Sequence, residues 1–148
     1  MKKSNNTQSR YFVLLVDRKR ARMFTLRDGV VEYDEELMID IVPQKVKHGD
    51  DTWDAQDKIF RHIEDHLHRH LKLVAEKAFD FAKRKRIDHL LIGSHKPLFA
   101  KIEKHLSYPL NRKIKGKFVT ELKAPFGEIL KRAKRAIKKI EEKDKKEE

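Results

Sequence analysis

Tyr11-Phe12-Val13-Leu14-Leu15-Val16 is a run of six consecutive apolar residues. A strand with one wet face would alternate apolar and polar side chains; an unbroken run of strand length fits a strand buried on both faces. The fold built around it is therefore a sheet covered on both sides. Asp17-Arg18-Lys19-Arg20 follows as a polar turn, and Ala21-Arg22-Met23-Phe24-Thr25-Leu26 returns as a second strand. Asp28-Gly29 is a hairpin signal, because Gly tolerates the positive φ of the tight turn. Val30-Val31-Glu32-Tyr33 opens a third strand that is expected to run, with a bulge, to Val42.

The pattern then becomes helical. Phe60, Ile63, Leu67, Leu71, Val74, Ala78 and Phe81 recur at steps of three and four, predicting one long helix from Trp53 to about Arg86. At 1.5 Å per residue it is about 50 Å long and must project beyond strands of ordinary length. Ile87-Asp88-His89-Leu90-Leu91-Ile92 reads as a buried strand ending at Gly93-Ser94. A short helix is expected from Lys96 with Leu98, Phe99, Ile102 and Leu106 inward, then a strand from Ile114 to Leu122. Pro125 starts a last helix with an apolar stripe of Phe126, Ile129, Leu130, Ala133, Ile137 and Ile140. The order β-β-β-α-β-α-β-α implies an α/β fold with a mixed β-sheet flanked by helices, the fourth strand parallel to the first. Residues 1–10 read as a flexible N-terminus, 11–141 as one α/β domain and 142–148 as a charged tail that frays.

Of the 148 residues, 39% are hydrophobic and 41% charged, so the core is small and the surface heavily ionised. A net charge of +12 favours a polyanionic partner through counterion release, unless the cations only solvate a Lys- and Glu-rich surface. With no Cys there are no disulfides, thiolate nucleophiles or Cys-type zinc sites. No apolar run approaches the length of a membrane span, and the first ten residues lack the apolar core of a signal peptide; a cytoplasmic protein without a membrane partner is expected. Charge is segregated by segment. Residues 1–27 carry eight cations against Asp17 alone, and residues 28–42 carry Asp28, Glu32, Asp34, Glu35, Glu36 and Asp40 with no cation. The last helix is basic again through Lys131, Arg132, Lys134, Arg135, Lys138 and Lys139. Such segregation fits a molecule that sits on RNA with one side and leaves an acidic edge outside; the alternative is that the blocks neutralise one another across the fold. Base-stacking and zinc-finger motifs are missing, so phosphate contact outweighs sequence readout.

Between the third strand and the long helix lies Pro43-Gln44-Lys45-Val46-Lys47-His48-Gly49-Asp50-Asp51-Thr52-Trp53-Asp54-Ala55-Gln56. A polar loop of this length carrying a Trp is costly to keep in a domain without a use. Lys47-His48-Gly49, the polar turn after it and the basic helix running on to Leu73-Val74-Ala75-Glu76 resemble the central domain of archaeo-eukaryotic peptide chain release factors and of Pelota. The resemblance implies an RNase H-like sandwich over Tyr11 to Ile140, translation as the setting, ribosomal RNA or tRNA as partners, and a translational GTPase as a candidate partner. No cofactor is implied. In the release factors this loop carries Gly-Gly-Gln, which enters the peptidyl-transferase centre. Here Gly49 stands alone, followed by Asp50 and Asp51, and Gln56 comes seven residues later. The stop-codon-reading and factor-binding domains of those factors do not fit beside it in 148 residues, so codon-dependent termination is not expected.

Gly49 and Gln56 are the catalytic candidates of the loop, as a divergent peptidyl-tRNA ester hydrolase would use it. Candidate RNA contacts are Lys45, Lys47, His48 and Trp53 in the loop, Arg61, Arg69 and Lys72 on the long helix, and Lys131, Arg132, Lys134 and Arg135 on the last. Trp53 serves either as a hydrophobic anchor for the helix start or as a platform for a base. His62, His66 and His70 are spaced by four with His68 nearby, but three in line span about 12 Å and cannot share one metal ion. Projection puts His70 nearest the core, and no metal site is expected. Asp17 closes the first strand, where a two-metal nuclease would place a carboxylate, yet Asp88 opens its strand and falls at the other end. Gly93-Ser94-His95-Lys96 lacks a full glycine-rich phosphate fingerprint. The expected function is ribosome or tRNA binding without hydrolysis, in rescue, hibernation or A-site occupation. The hydrolase and a module binding an acidic protein are the alternatives.

Overall fold

In the computed structural model, residues 9–38 and 52–147 are described. Strand β1 (Arg10–Val16) is the centre of a five-stranded sheet, and all six of its apolar side chains are buried. It pairs antiparallel with β2 (Arg20–Arg27) and parallel with β4 (His89–Ser94). The edges are β3 (Val30–Met38) and β5 (Ile114–Val119), in the order β3-β2-β1-β4-β5. This is the mixed α/β sheet expected, with the fourth strand parallel to the first.

Alternation along β1 divides the core in two. Phe12, Leu14 and Val16 point to the face covered by α1 (Thr52–Lys85), α2 (Lys96–His105) and the single turn α3 (Tyr108–Asn111). There they meet Leu71, Val74, Ala78 and Phe81 of α1 and Leu98 and Ile102 of α2, with the Phe12 and Phe81 rings 4.7 Å apart. Tyr11, Val13 and Leu15 point to the face covered by α4 (Phe126–Glu147), against Ile129 and Ala133. Each large side chain removed from water contributes about 1.5–3 kcal/mol, so β1 ties two otherwise separate cores into one cooperative unit.

The hairpins follow their turn chemistry. Arg27 pairs with Val30, leaving Asp28 and Gly29 at φ 56 and 78 in a two-residue turn with positive φ at both centres. The expected bulge in β3 falls where the register slips between Phe24 and Leu26; residues 39–42 lie outside the described ones. Asp17 holds the first turn by accepting the backbone N–H of Lys19 at 2.8 Å and that of Arg20. His70 of α1, 2% exposed, donates from Nε2 to the Asp17 carbonyl at 2.8 Å and so pins the long helix to that turn.

Three details differ from expectation. The turn α3 has no periodic signal of its own; Pro109 sits in its first turn and Leu110 is its single buried residue. β5 stops at Val119, short of Leu122, and the Thr120 N–H to the Ser94 carbonyl at 3.1 Å is the last bond of its ladder with β4. α4 continues past Glu141 to Glu147, so the charged segment after Glu141 is helical through Glu147: its Lys and Glu residues are good helix formers. Lys115 reaches Asp144 at 3.7 Å, and the Tyr11 hydroxyl donates to Glu141 at 3.4 Å. Burial, then the Glu141 and Asp144 carboxylates, push that hydroxyl well above the usual tyrosine range, so it stays a donor.

A methyl group at Gly93 would lie 2.7 Å from Leu15 Cδ2 and 2.7 Å from Phe118 Cζ, so any side chain here forces a neighbour to move. The half-buried Phe118 ring can give way, whereas Leu15 is fully buried. Gly93→Ala is expected to cost about 1 kcal/mol and Gly93→Val about 3 kcal/mol in urea unfolding; unchanged midpoints would contradict this packing. Burial holds the His70 imidazole below its ordinary value, against the weaker raising influence of the Asp17 and Arg20 carbonyls and the Asp17 carboxylate. The unfolded chain then binds the proton more readily, so the stability His70 contributes is complete above its ordinary pKa of 6.5 and falls as pH drops below it. His70→Gln is expected to flatten the unfolding free energy between pH 6.5 and 5; an unaltered slope would count against this account.

Candidate nucleic-acid interface

On α4, the twelve residues 129–140 contain six cations and no acid. The apolar stripe turns Ile129 and Ala133 into the core and leaves Lys131, Arg132, Lys134, Arg135, Lys138 and Lys139 exposed on the opposite side. Residues three and four apart share a face, so Lys131, Lys134, Arg135 and Lys138 form one ridge rather than a scatter. Arg132 is different: its guanidinium donates to the Val119 carbonyl at 3.0 Å and caps the end of β5. Lys138 and Lys139 belong to the ridge although only the first four cations stood among the candidate contacts. The signal that finds them is the same three-and-four spacing that defines the stripe.

Several arginines of the first segment are paired within the fold. Arg10 and Arg27 both bind Glu32, at 2.9 and 2.7 Å, and Arg22 binds Asp34 at 2.6 Å. Arg84 reaches Glu35 at 3.6 Å from α1. The acidic segment forms an edge strand with Asp34 and Glu35 exposed, but hairpin pairing sets it beside the basic first segment, whose arginines offset much of its charge. Among the described residues of α1, Arg69 lies 3.8 Å from Asp65 and Arg84 2.9 Å from Asp80, so that helix carries mixed charge. Lys72 is exposed on the same helix.

The candidate contacts do not form a single surface. Arg69 and Lys72 belong to the helix on one face of the sheet, and Lys131 to Arg135 to the helix on the other. Lys45, Lys47, His48 and Gly49 lie outside the described residues. Trp53, Gln56 and Arg61 fall within α1, in the stretch where only the backbone is described, and Gln56 is helical as expected.

The other chemical candidates resolve into structural roles. Asp17 is a turn residue, its Oδ2 also 3.2 Å from Arg20. Asp88 accepts the Arg10 N–H at 2.8 Å at the start of β4, so the two acids sit at opposite ends of adjacent parallel strands and cannot share a metal ion. Ser94 is fully buried and donates to the Val16 carbonyl at 2.6 Å, which commits it to the sheet rather than to a phosphate. Among the described residues no three or more metal-binding side chains converge, and none of the described helices is long and apolar enough to cross a membrane.

This architecture has known counterparts. The archaeal translation termination factor aRF1 shares it with a TM-score of 0.56 at 17% identity, over 79% of this chain and 31% of its own. Pelota from Archaeoglobus fulgidus gives 0.53 at 17% identity over 97% and 37% of the respective chains. A further archaeal protein gives 0.58 at 14% identity over 95% and 40%. At these identities the likeness is one of fold, and the chain spans less than half the length of each. No curated protein sequence matches. The sequence pattern of bacterial archaeo-eukaryotic release factor family 10 matches residues 6–138, nearly the whole chain, and this chain belongs to that family.

Proposed function

We propose that the chain works in translation by binding structured RNA of the ribosome or of tRNA, and that it occupies a ribosomal site without hydrolysing peptidyl-tRNA. The observation that carries this reading is the ridge on α4. Six cations in twelve residues with no intervening acid, on the wet side of a helix anchored to the sheet, match the spacing of a phosphate backbone rather than of any single small anion. Family membership supplies the setting, and a translational GTPase is the partner it suggests.

Against hydrolysis stands the loop's own chemistry. Paired glycines allow a backbone to approach an ester closely, in conformations closed to other residues. This chain carries Gly49 next to Asp50 and Asp51, whose charge repels an RNA centre, and places Gln56 inside a helix. Rescue, hibernation or A-site occupation fits such a loop better than ester opening does.

The test is cosedimentation with ribosomes carrying peptidyl-tRNA across a salt series. Replacing Lys131, Lys134, Arg135 and Lys138 by Ala, and sparing Arg132, is expected to weaken binding at least tenfold near 0.1 M salt. The slope of log K against log salt should fall by about 3. Equal binding by this variant would overturn the role of α4, and no binding even at low salt would leave an acidic protein partner as the better reading. Peptide released at a rate lowered by Gln56→Ala would establish the hydrolase instead.

A further inference from the structure

On the opposite side of the molecule from the α4 ridge, two histidines from different helices face each other. His105, the last residue of α2, and His68 of α1 place Nε2 and Nδ1 3.0 Å apart, with ring centroids at 4.9 Å. His105 Nδ1 lies 2.8 Å from the Lys101 carbonyl one turn earlier. A carbonyl only accepts, so a proton is on Nδ1, and in the neutral form of the ring the Nε2 lone pair points at His68. In metalloproteins a histidine ligand is commonly held in this way, its second nitrogen donating to a backbone carbonyl that fixes both tautomer and ring orientation.

We propose that His68 and His105 form a two-histidine site for a borderline divalent transition cation, zinc, nickel or copper, that clips α1 to α2. Two nitrogens on one tetrahedral zinc, each about 2.0–2.1 Å from the metal, stand about 3.3 Å apart. The observed 3.0 Å needs an opening of a few tenths of an ångström and a tilt of each ring by about 35°, so that both lone pairs converge on the ion. His68 is exposed, so its proton can pass to Nε2 and leave Nδ1 free to bind. Water completes the coordination, because no third protein ligand converges among the described residues. Imidazole selects against magnesium and calcium, which take oxygen ligands. The site is independent of the RNA-binding reading. The four-residue ladder of His62, His66 and His70 does not supply it, since His70 is buried and spent on the Asp17 carbonyl.

Calorimetric titration of the whole chain with zinc chloride is expected to show one ion per chain and a thermal midpoint raised by several degrees. Magnesium chloride should produce neither. His68→Ala and His105→Ala should each lower zinc affinity at least tenfold, and His62→Ala should leave it intact. Long-range nitrogen NMR should move His105 Nε2 and His68 Nδ1 on zinc addition. No uptake up to 1 mM zinc, or uptake that survives His105→Ala, would overturn the proposal; the second result would place the ion along α1 alone.

Discussion

β1 cannot satisfy its own side chains with a single covering layer. Phe12, Leu14 and Val16 must be kept from water on one face while Tyr11, Val13 and Leu15 must be kept from it on the other. A strand in that position also needs hydrogen-bonding partners on both edges, because an unpaired backbone group in such surroundings costs as much as a lost hydrogen bond. β2 and β4 supply them, and the crossover that brings β4 in parallel has to be long enough to cover a face. The length of α1, the glycine at position 93 and the apolar stripe of α4 all answer to this one buried strand.

The same requirement decides which charges remain available. α4 is held by its inner stripe, so its outer side is set free of packing duties and can carry cations at no cost to the core. The hairpin of β2 and β3 works in the opposite sense. Its antiparallel pairing lets Arg22 reach Asp34 and Arg27 reach Glu32, drawing acidic and basic segments together. Surface ion pairs of this kind add little stability, typically under about 1 kcal/mol each. Their consequence is electrostatic: residues 1–42 carry eight cations against seven acids, so nearly all of the charge excess lies in residues 43–148, and α4 holds an acid-free run of it.

Much of this could be read from the residues. The unbroken run at Tyr11 to Val16, the Asp28-Gly29 turn and the stripes of α1 and α4 are local patterns with one cheap solution each, and the structure adopts it. Projection of the helix puts His70 nearest the core, and it is buried. What the pattern could not show depends on partners distant in sequence. The binding of Glu32 by Arg10 and Arg27 and the capping of β5 by Arg132 arise from contacts that only the assembled sheet creates. The division of the candidate RNA contacts between two faces has the same origin, since it follows from strand order and not from any one segment. The pairing of His68 with His105 was equally hidden, because nothing in the α1 ladder points to α2.

The most direct measurement is photo-cross-linking from a reactive probe at position 134 or 138 of the otherwise intact chain, mixed with purified bacterial ribosomes, with the products mapped to RNA or protein. The account predicts cross-links to ribosomal RNA or tRNA from both positions, suppressed by high salt. A probe at Tyr108, exposed on the other face of the sheet, should give far fewer. Cross-links confined to proteins, or equal yields from all three positions, would contradict it.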